Sequence, residues 1–357
     1  MPAPHSSLLT LNWLITGGCG FIGTSLIKHL VENNLAKHIR VLDNLSVGTR
    51  DDLARVCNFT EITSSSLNTQ SSELSTQTSP LSPLSSVLSP EHSGVELIVG
   101  DIRDANICML AAQGMDVIVH LAANTGVEPS VEDPRKDMEV NVAGTLNMLE
   151  AARHNHVKRF VFASSGAPVG EVEPPIHEEL APRPVSPYGA SKLAGEGYCS
   201  AYFRTYGVET VALRFGNVYG PGSNHKNSVI AKFIRQAIKG EVLEIYGDGT
   251  QTRDFIYIED LIRAILAAVT VPSIGGEIFQ IATSRETTVS EIADKLISIL
   301  INDGIKDINV HHSAPRVGDV KRNYSDTSKA QLRLGWQALT SLEKGLRQSV
   351  DWFLQQK

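Results

Sequence analysis

The chain is poor in cysteine. Cys19, Cys57, Cys108 and Cys199 are the only four in 357 residues, far apart, with no Cys-x-x-Cys pair and no histidine at metal-finger spacing. Neither a disulfide framework nor a zinc site is suggested; reduced thiols and no metal are expected. Long apolar runs are also missing, with nothing near the roughly 18 uninterrupted apolar residues that a membrane span requires. The N-terminal stretch has no basic region leading into an apolar segment and a small-residue cleavage site, so a cytoplasmic location is expected. Positive charge is in deficit. The 32 Lys and Arg against 39 Asp and Glu give a net charge of −7, which offers no global attraction to phosphate backbones and argues against nucleic acid as the main ligand. Hydrophobic content of 42% and charged content of 20% are those of a globular protein. The length suits two domains, or one large α/β unit with a smaller appendage.

Residues 11–16 form a compact apolar strand pattern, 17–23 a glycine turn, and 24–32 a helix pattern with Leu26, Ile27 and Leu30 on one face. Further strand patterns fall at 39–43, 96–100, 117–121, 160–164 and 210–215, with helical patterns between them, clearest at 140–154 and 191–206. Alternating helices and nearly continuous apolar strands predict an α/β fold, a doubly wound parallel sheet covered on both faces. A Ser/Thr-rich stretch at 61–93 interrupts this rhythm; its composition cannot repay the entropy of ordering, which predicts a mobile surface insertion. Beyond residue 216 the pattern becomes irregular. The expected division is a dinucleotide-binding domain over 1–215 and a smaller C-terminal α/β substrate domain over 216–357, with some segments returning to the first.

Gly17, Gly20 and Gly23 stand three residues apart between a strand and a helix. Gly17 permits the tight turn, Gly20 lets the backbone approach a pyrophosphate, and Gly23 allows the helix to pack closely, while Phe21 and Ile22 open that helix. Alone this could be an ordinary strand-to-helix turn. Asp43 sharpens the reading, because it ends the next strand about 20 residues later, where a carboxylate meets ribose hydroxyls and repels a 2′-phosphate. NAD is therefore expected over NADP. Asn44 neighbours that acid, and Asp101 and Ile102, after the third strand, are candidates for the adenine end. Tyr188 and Lys192 form Tyr-x-x-x-Lys, four apart on one helix face. A phenol held near an ammonium and a positive nicotinamide ring can ionise below its ordinary value of about 10, making Tyr188 a candidate base. Ser165 ends an earlier strand, where it can donate to the same substrate oxygen.

Taken together, Gly17-x-x-Gly20-x-x-Gly23, Asp43, His120-Leu121-Ala122-Ala123, Asn141, Ser165, Tyr188-x-x-x-Lys192 and the run Arg214 to Pro221 resemble the extended short-chain dehydrogenase/reductases, in the nucleotide-sugar epimerase/dehydratase branch. The resemblance covers nearly the whole chain apart from the first residues and the Ser/Thr-rich insertion. It implies a Rossmann-type domain, NAD beside Leu121, Ala122, Ala123, Asn141, Tyr188 and Lys192, and catalysis by Ser165, Tyr188 and Lys192. It also implies a UDP-sugar held by Ser165, Asn217, Val229, Arg253, Arg316, Asp319 and Asn323, and a homodimer paired through helices 140–154 and 191–206.

The resemblance narrows the reaction. Dehydratases of the branch carry Asp-Glu after the active-site Ser/Thr, to expel water; here those positions are Gly166 and Ala167, which cannot transfer protons. A 4-epimerase that oxidises and re-reduces C4 is the expected activity, with NAD regenerated each cycle. A decarboxylase, a keto-sugar reductase or a non-catalytic NAD-sensing regulator are the alternatives. Val169 stands where the family commonly has Tyr, and the loop 166–169 is expected to reshape the sugar pocket. Asn323, at the gatekeeper position, leaves UDP-glucose, UDP-N-acetylhexosamine and UDP-glucuronate open.

Overall fold

Strand β1, Asn12–Thr16, sits at the middle of the molecule, and its side chains explain the layers around it. Trp13 and Ile15 point to one face of the sheet and Leu14 to the other, all fully buried, because successive strand residues alternate sides and both sides are covered. The structure is a computed structural model describing residues 8–63, 94–314 and 320–356. Within it β1 joins β2 (His38–Asp43), β3 (Thr60–Glu61), β4 (Gly94–Val99), β5 (Val117–His120), β6 (Arg159–Ser165), β7 (Thr210–Phe215) and β12 (Glu277–Ile281). The sheet has eight strands in the order β12-β7-β6-β5-β1-β2-β4-β3, and every pairing is parallel. This is a Rossmann-type doubly wound sheet. The order reverses at β1, between β2 and β5, so the crevice beyond the carboxyl ends of β1 and β5 is where such a sheet binds ligands.

Two cores result. On one face Leu26, Ile27 and Leu30 of helix Phe21–Glu32 pack with Leu261, Ile262 and Ile265 of helix Ile258–Thr270. On the other, Cys108, Met148, Leu149, Cys199 and Tyr202 come from helices Ala105–Ala111, Gly144–His154 and Pro187–Tyr206. The apolar stripes of the two helices expected to pair subunits are therefore core. Helix Pro187–Tyr206 starts four residues before the expected 191: Ser186 caps it by accepting the Gly189 N–H, and Pro187 fits the first turn, where no N–H is needed. Gly207, at φ 72, ends it.

The second half of the chain crosses the expected boundary at 215/216. Helix Ile258–Thr270 and β12 return to the main sheet, β12 pairing with β7 at its edge. The rest builds three two-stranded sheets: β8 (Asn217–Tyr219) with β11 (Phe255–Tyr257), β9 (Leu243–Tyr246) with β14 (Val310–Ser313), and β10 (Thr252–Arg253) with β13 (Thr287–Thr288). Glu61, expected to begin the insertion, ends β3; positions 64–93 lie outside the described residues.

Candidate active site

The glycine turn follows β1. Gly17 has φ +67, and a Cβ there would come within 2.8 Å of the Ala122 nitrogen; at Gly23 a Cβ would meet Gly18 Cα at 2.5 Å. Hydrogen alone fits either place, which brings the loop against β5 and the helix against the loop. Gly20 is the N-cap of helix Phe21–Glu32 and provides no side-chain acceptor, so the first-turn N–H groups at Phe21 and Ile22 are left for another acceptor. Asp43, buried at the end of β2, accepts the Cys19 N–H on Oδ2 at 2.9 Å and the Leu45 N–H on Oδ1 at 2.8 Å. Burial raises its carboxyl above the ordinary range, and these two hydrogen bonds oppose the rise. The turn and the acid are thus one hydrogen-bonded unit, with acceptor capacity remaining on each carboxylate oxygen.

Next to this unit, Asn44 Nδ2 donates to Asp101 Oδ2 at 3.1 Å, and Arg103 pairs with Asp101 and holds its carboxyl down at about 2. The Ile102 side chain turns into the core, where a Cβ on Gly144 would lie 2.6 Å from its Cδ1. Leu121, Ala122 and Ala123 leave β5 along the glycine turn, with the Ala122 N–H donated to Thr16 Oγ1 at 3.2 Å. His120 bridges Thr16 and Thr145, Nδ1 to Oγ1 at 2.7 Å and Nε2 to Oγ1 at 3.2 Å, and burial pushes it down to about 3, so it is neutral.

Ser165 ends β6, where its Oγ accepts the Ala167 N–H at 3.2 Å and its hydroxyl lies beside the phenol of Tyr188, acting to lower that phenol's pKa. One helical turn on, Lys192 is buried, donates Nζ to the Ala163 carbonyl at 2.9 Å, and lies 5.9 Å from the centre of the Tyr188 ring. The three expected catalytic side chains are therefore together, at the carboxyl end of β6. The acidified phenol is not a property of the protein's own groups: burial pushes Tyr188 up to about 12, only partly offset by Ser165, with Asp137 adding to the rise. Burial likewise draws Lys192 down to about 8, opposed by the charges of Asp137 and Glu196. A lower phenol value needs a further positive charge beside the ring.

Asn141, expected beside NAD, and two residues without a strong sequence signal, Asp137 and Glu196, lie next to this cluster. Asn141 stands in a π-helical turn, Glu139–Ala143, with its amide engaged inside the protein: Nδ2 donates to Asp137 Oδ1 (2.9 Å), Asn124 O (3.0 Å) and Ser191 Oγ (3.1 Å), and Oδ1 accepts the Asn124 N–H (2.8 Å). Its bond to Ser191 ties it to the catalytic helix. Asp137 is 1% exposed and its Oδ2 has no protein partner among the described residues. Glu196, one turn beyond Lys192, takes two hydrogen bonds from Arg214 at 2.7 and 2.8 Å and one from Ser164 at 2.6 Å, in a fully buried ion pair. The i+4 spacing from Lys192 is the one hint of it in the chain.

On the other side of the crevice Asn217 lies in β8, its N–H donated to Asp254 O at 2.7 Å, and Val229 opens helix Val229–Ile238. Arg253 donates Nη1 to the carbonyls of Thr252 and Val320. Asn323 faces the Ser165 loop: a Cβ on Gly166 would be 3.9 Å from its Nδ2. Arg316 and Asp319 lie outside the described residues. Val169, in the Ser165 loop, is 0% exposed.

The sheet, the glycine turn and the Ser165–Tyr188–Lys192 cluster define an extended short-chain dehydrogenase/reductase. The chain belongs to the NAD dependent epimerase/dehydratase family, whose model matches residues 13–282. It is 35% identical over 344 residues to the putative UDP-glucose 4-epimerase of Methanocaldococcus jannaschii, covering 95% of this chain and 97% of that protein. The UDP-glucose 4-epimerase of Thermotoga maritima, solved with UDP-glucose, superposes with a TM-score of 0.81 at 32% identity, covering 97% of this chain and 99% of that one. The dTDP-glucose 4,6-dehydratase DesIV of Streptomyces venezuelae, with NAD bound, gives 0.79 at 29% identity and 97% coverage of both. Among the described residues no helix is long and apolar enough to cross a membrane, and no group of three His, Cys, Asp or Glu could hold a metal ion.

Proposed function

We propose that the chain is an NAD-dependent 4-epimerase of a UDP-sugar. The observation that carries this reading is the proton-transfer inventory around Ser165: a phenol beside it, a buried ammonium behind, and Gly166 and Ala167 in the next two positions. Such a site removes and returns one hydroxyl proton and has no acid–base pair for expelling water. The residues fit NAD, since the close-packed glycine turn offers first-turn N–H groups to a diphosphate and Asp43 retains acceptor capacity for ribose hydroxyls. When bound, NAD supplies the acceptor and then the donor of the C4 hydride. Tyr188 takes the C4 hydroxyl proton, Ser165 holds the same oxygen, and Lys192 supplies positive charge that favours phenolate. After the 4-keto sugar turns its other face inward and C4 regains its hydride from the opposite side, Tyr188 returns the proton to the C4 oxygen.

Asn217, Val229, Arg253 and Asn323, with Arg316 and Asp319, form the UDP-sugar side of this reading. Asn323 across from Gly166 leaves room that does not by itself choose among UDP-glucose, UDP-N-acetylhexosamine and UDP-glucuronate. The same reading divides the chain near residue 216 into cofactor and substrate halves. It also pairs two copies through the outer surface of helix Pro187–Tyr206, where Tyr198 and Tyr206 are exposed. Incubation with UDP-galactose, UDP-N-acetylgalactosamine and UDP-galacturonate, separately and without added NADH, is expected to convert at least one to its C4 epimer by NMR. Release of carbon dioxide, net NADH accumulation, or no turnover of any of the three would overturn it in favour of a decarboxylase, a reductase or a regulator.

A further inference from the structure

The loop between β8 and helix Val229–Ile238 leaves the substrate half and lies across the glycine turn of the cofactor half. A Cβ on Gly222 would sit 3.5 Å from the Phe21 ring, His225 Nε2 is 3.0 Å from Asp52 Oδ2, and the Lys226 ammonium stands 5.4 Å from the centre of the Phe21 ring. Phe21 is the first residue of the helix whose N-terminus closes the glycine turn. Lys226 is partly buried, and among the described residues no carboxylate pairs with it. Asp52, which the loop does reach, is already engaged by Thr49, Arg55 and His225.

The Lys226 ammonium thus lies over the side chain of the residue that opens this helix, so its positive charge adds to that of the helix N-terminus. Both are stabilised by one negatively charged group between them. We propose that Lys226 is an affinity-determining residue that clamps a nucleotide diphosphate against the glycine turn, a contact made by the substrate half of the chain. The inference rests on the nucleotide-binding reading above. Burial, with no opposing anion, draws the Lys226 ammonium down to about 8, as expected for a cation whose partner is not part of the protein. Two nucleotides of the proposed reaction carry a diphosphate, the dinucleotide and the UDP-sugar. Contact with Phe21 favours the first.

The test titrates the full chain, freed of co-purifying nucleotide, with ADP-ribose, adenosine, UDP and uridine by calorimetry, for wild type, Lys226→Met and Lys226→Arg. Met keeps an apolar stem on Phe21, and matching circular dichroism and melting temperature certify its fold. The expected result is ADP-ribose binding weakened about ten- to a hundredfold in Lys226→Met, the loss of one charged hydrogen bond, with adenosine unchanged and Lys226→Arg close to wild type. A loss confined to UDP against uridine also upholds the diphosphate clamp and assigns it to the sugar nucleotide. Equal affinities of Lys226→Met and wild type for all four ligands overturn it and leave Lys226 as packing on Phe21. Wild type binding neither ADP-ribose nor UDP would instead sink the underlying reading.

Discussion

Replacing Tyr188 by Phe removes one oxygen from the cluster and little else. The ring keeps its place on helix Pro187–Tyr206, and losing even one side-chain hydrogen bond would cost only about 1 kcal/mol, so the variant is expected to fold and to bind NAD like wild type. Turnover behaves differently. With the phenol pushed up to about 12 by burial, roughly one molecule in ten thousand would carry phenolate at pH 8 on the protein's own charges alone. Proton transfer thus depends on the whole cluster acting together, and a positioned acid–base group is worth about 10²- to 10⁴-fold. Tyr188→Phe is expected to lower kcat by at least about a hundredfold. The assay follows the best wild-type UDP-sugar substrate by NMR, with NADH fluorescence titration as the binding control. Activity within a few-fold of wild type, at matched NAD affinity, would refute the role given to the phenol.

Asp43→Ala removes the acceptor of the Cys19 and Leu45 N–H groups and the charge that disfavours a 2′-phosphate. NAD affinity is expected to fall about ten- to a hundredfold and preference over NADP to shrink, and unchanged affinities for both in parallel titrations would contradict the assignment. Arg214→Met strips Glu196 of its buried partner and is expected to cost about 3–5 kcal/mol in urea unfolding, whereas a loss below 1 kcal/mol would show the ion pair to be dispensable. Glu96 on β4, hydrogen-bonded by His38 and Arg40, is held down at about 2 against 4.5 for a free side chain. A depressed carboxyl stabilises the fold fully above about pH 4.5 and loses that contribution as the pH falls toward 2, so Glu96→Gln should flatten the melting temperature's dependence on pH in this window. An unaltered slope would count against that pairing.

The parts of the molecule that were legible in the chain are those whose chemistry is local. Gly17, Gly20 and Gly23 need their positions for backbone reasons, Asp43 follows at the end of a strand, and Tyr188 and Lys192 are one helical turn apart. Strands β1 and β5 carry continuous apolar runs, Trp13 to Ile15 and Val117 to Val119, because both faces of the sheet are covered, while Arg40 interrupts the run in β2. Strands β8, β10, β11 and β13 are two or three residues long, too short for any periodicity, and their partners are distant in sequence. The start of the catalytic helix lay in Ser186-Pro187, a cap signal that an apolar pattern beginning at 191 does not contain. Val169 stands in a loop by its neighbours and yet is buried, because burial is decided by tertiary packing. Asp137 and Lys226 are invisible for the same reason: a charged side chain becomes unusual only when the fold takes it out of water.

In the proposed reaction, hydride leaves C4 and returns to the same carbon within one binding event. The direct measurement uses a UDP-sugar deuterated at C4, unlabelled water and no added reductant, with mass and NMR analysis of the epimer formed. Retention of the label at C4 of the product is predicted. Its loss to solvent, or its appearance at another carbon, would contradict the mechanism.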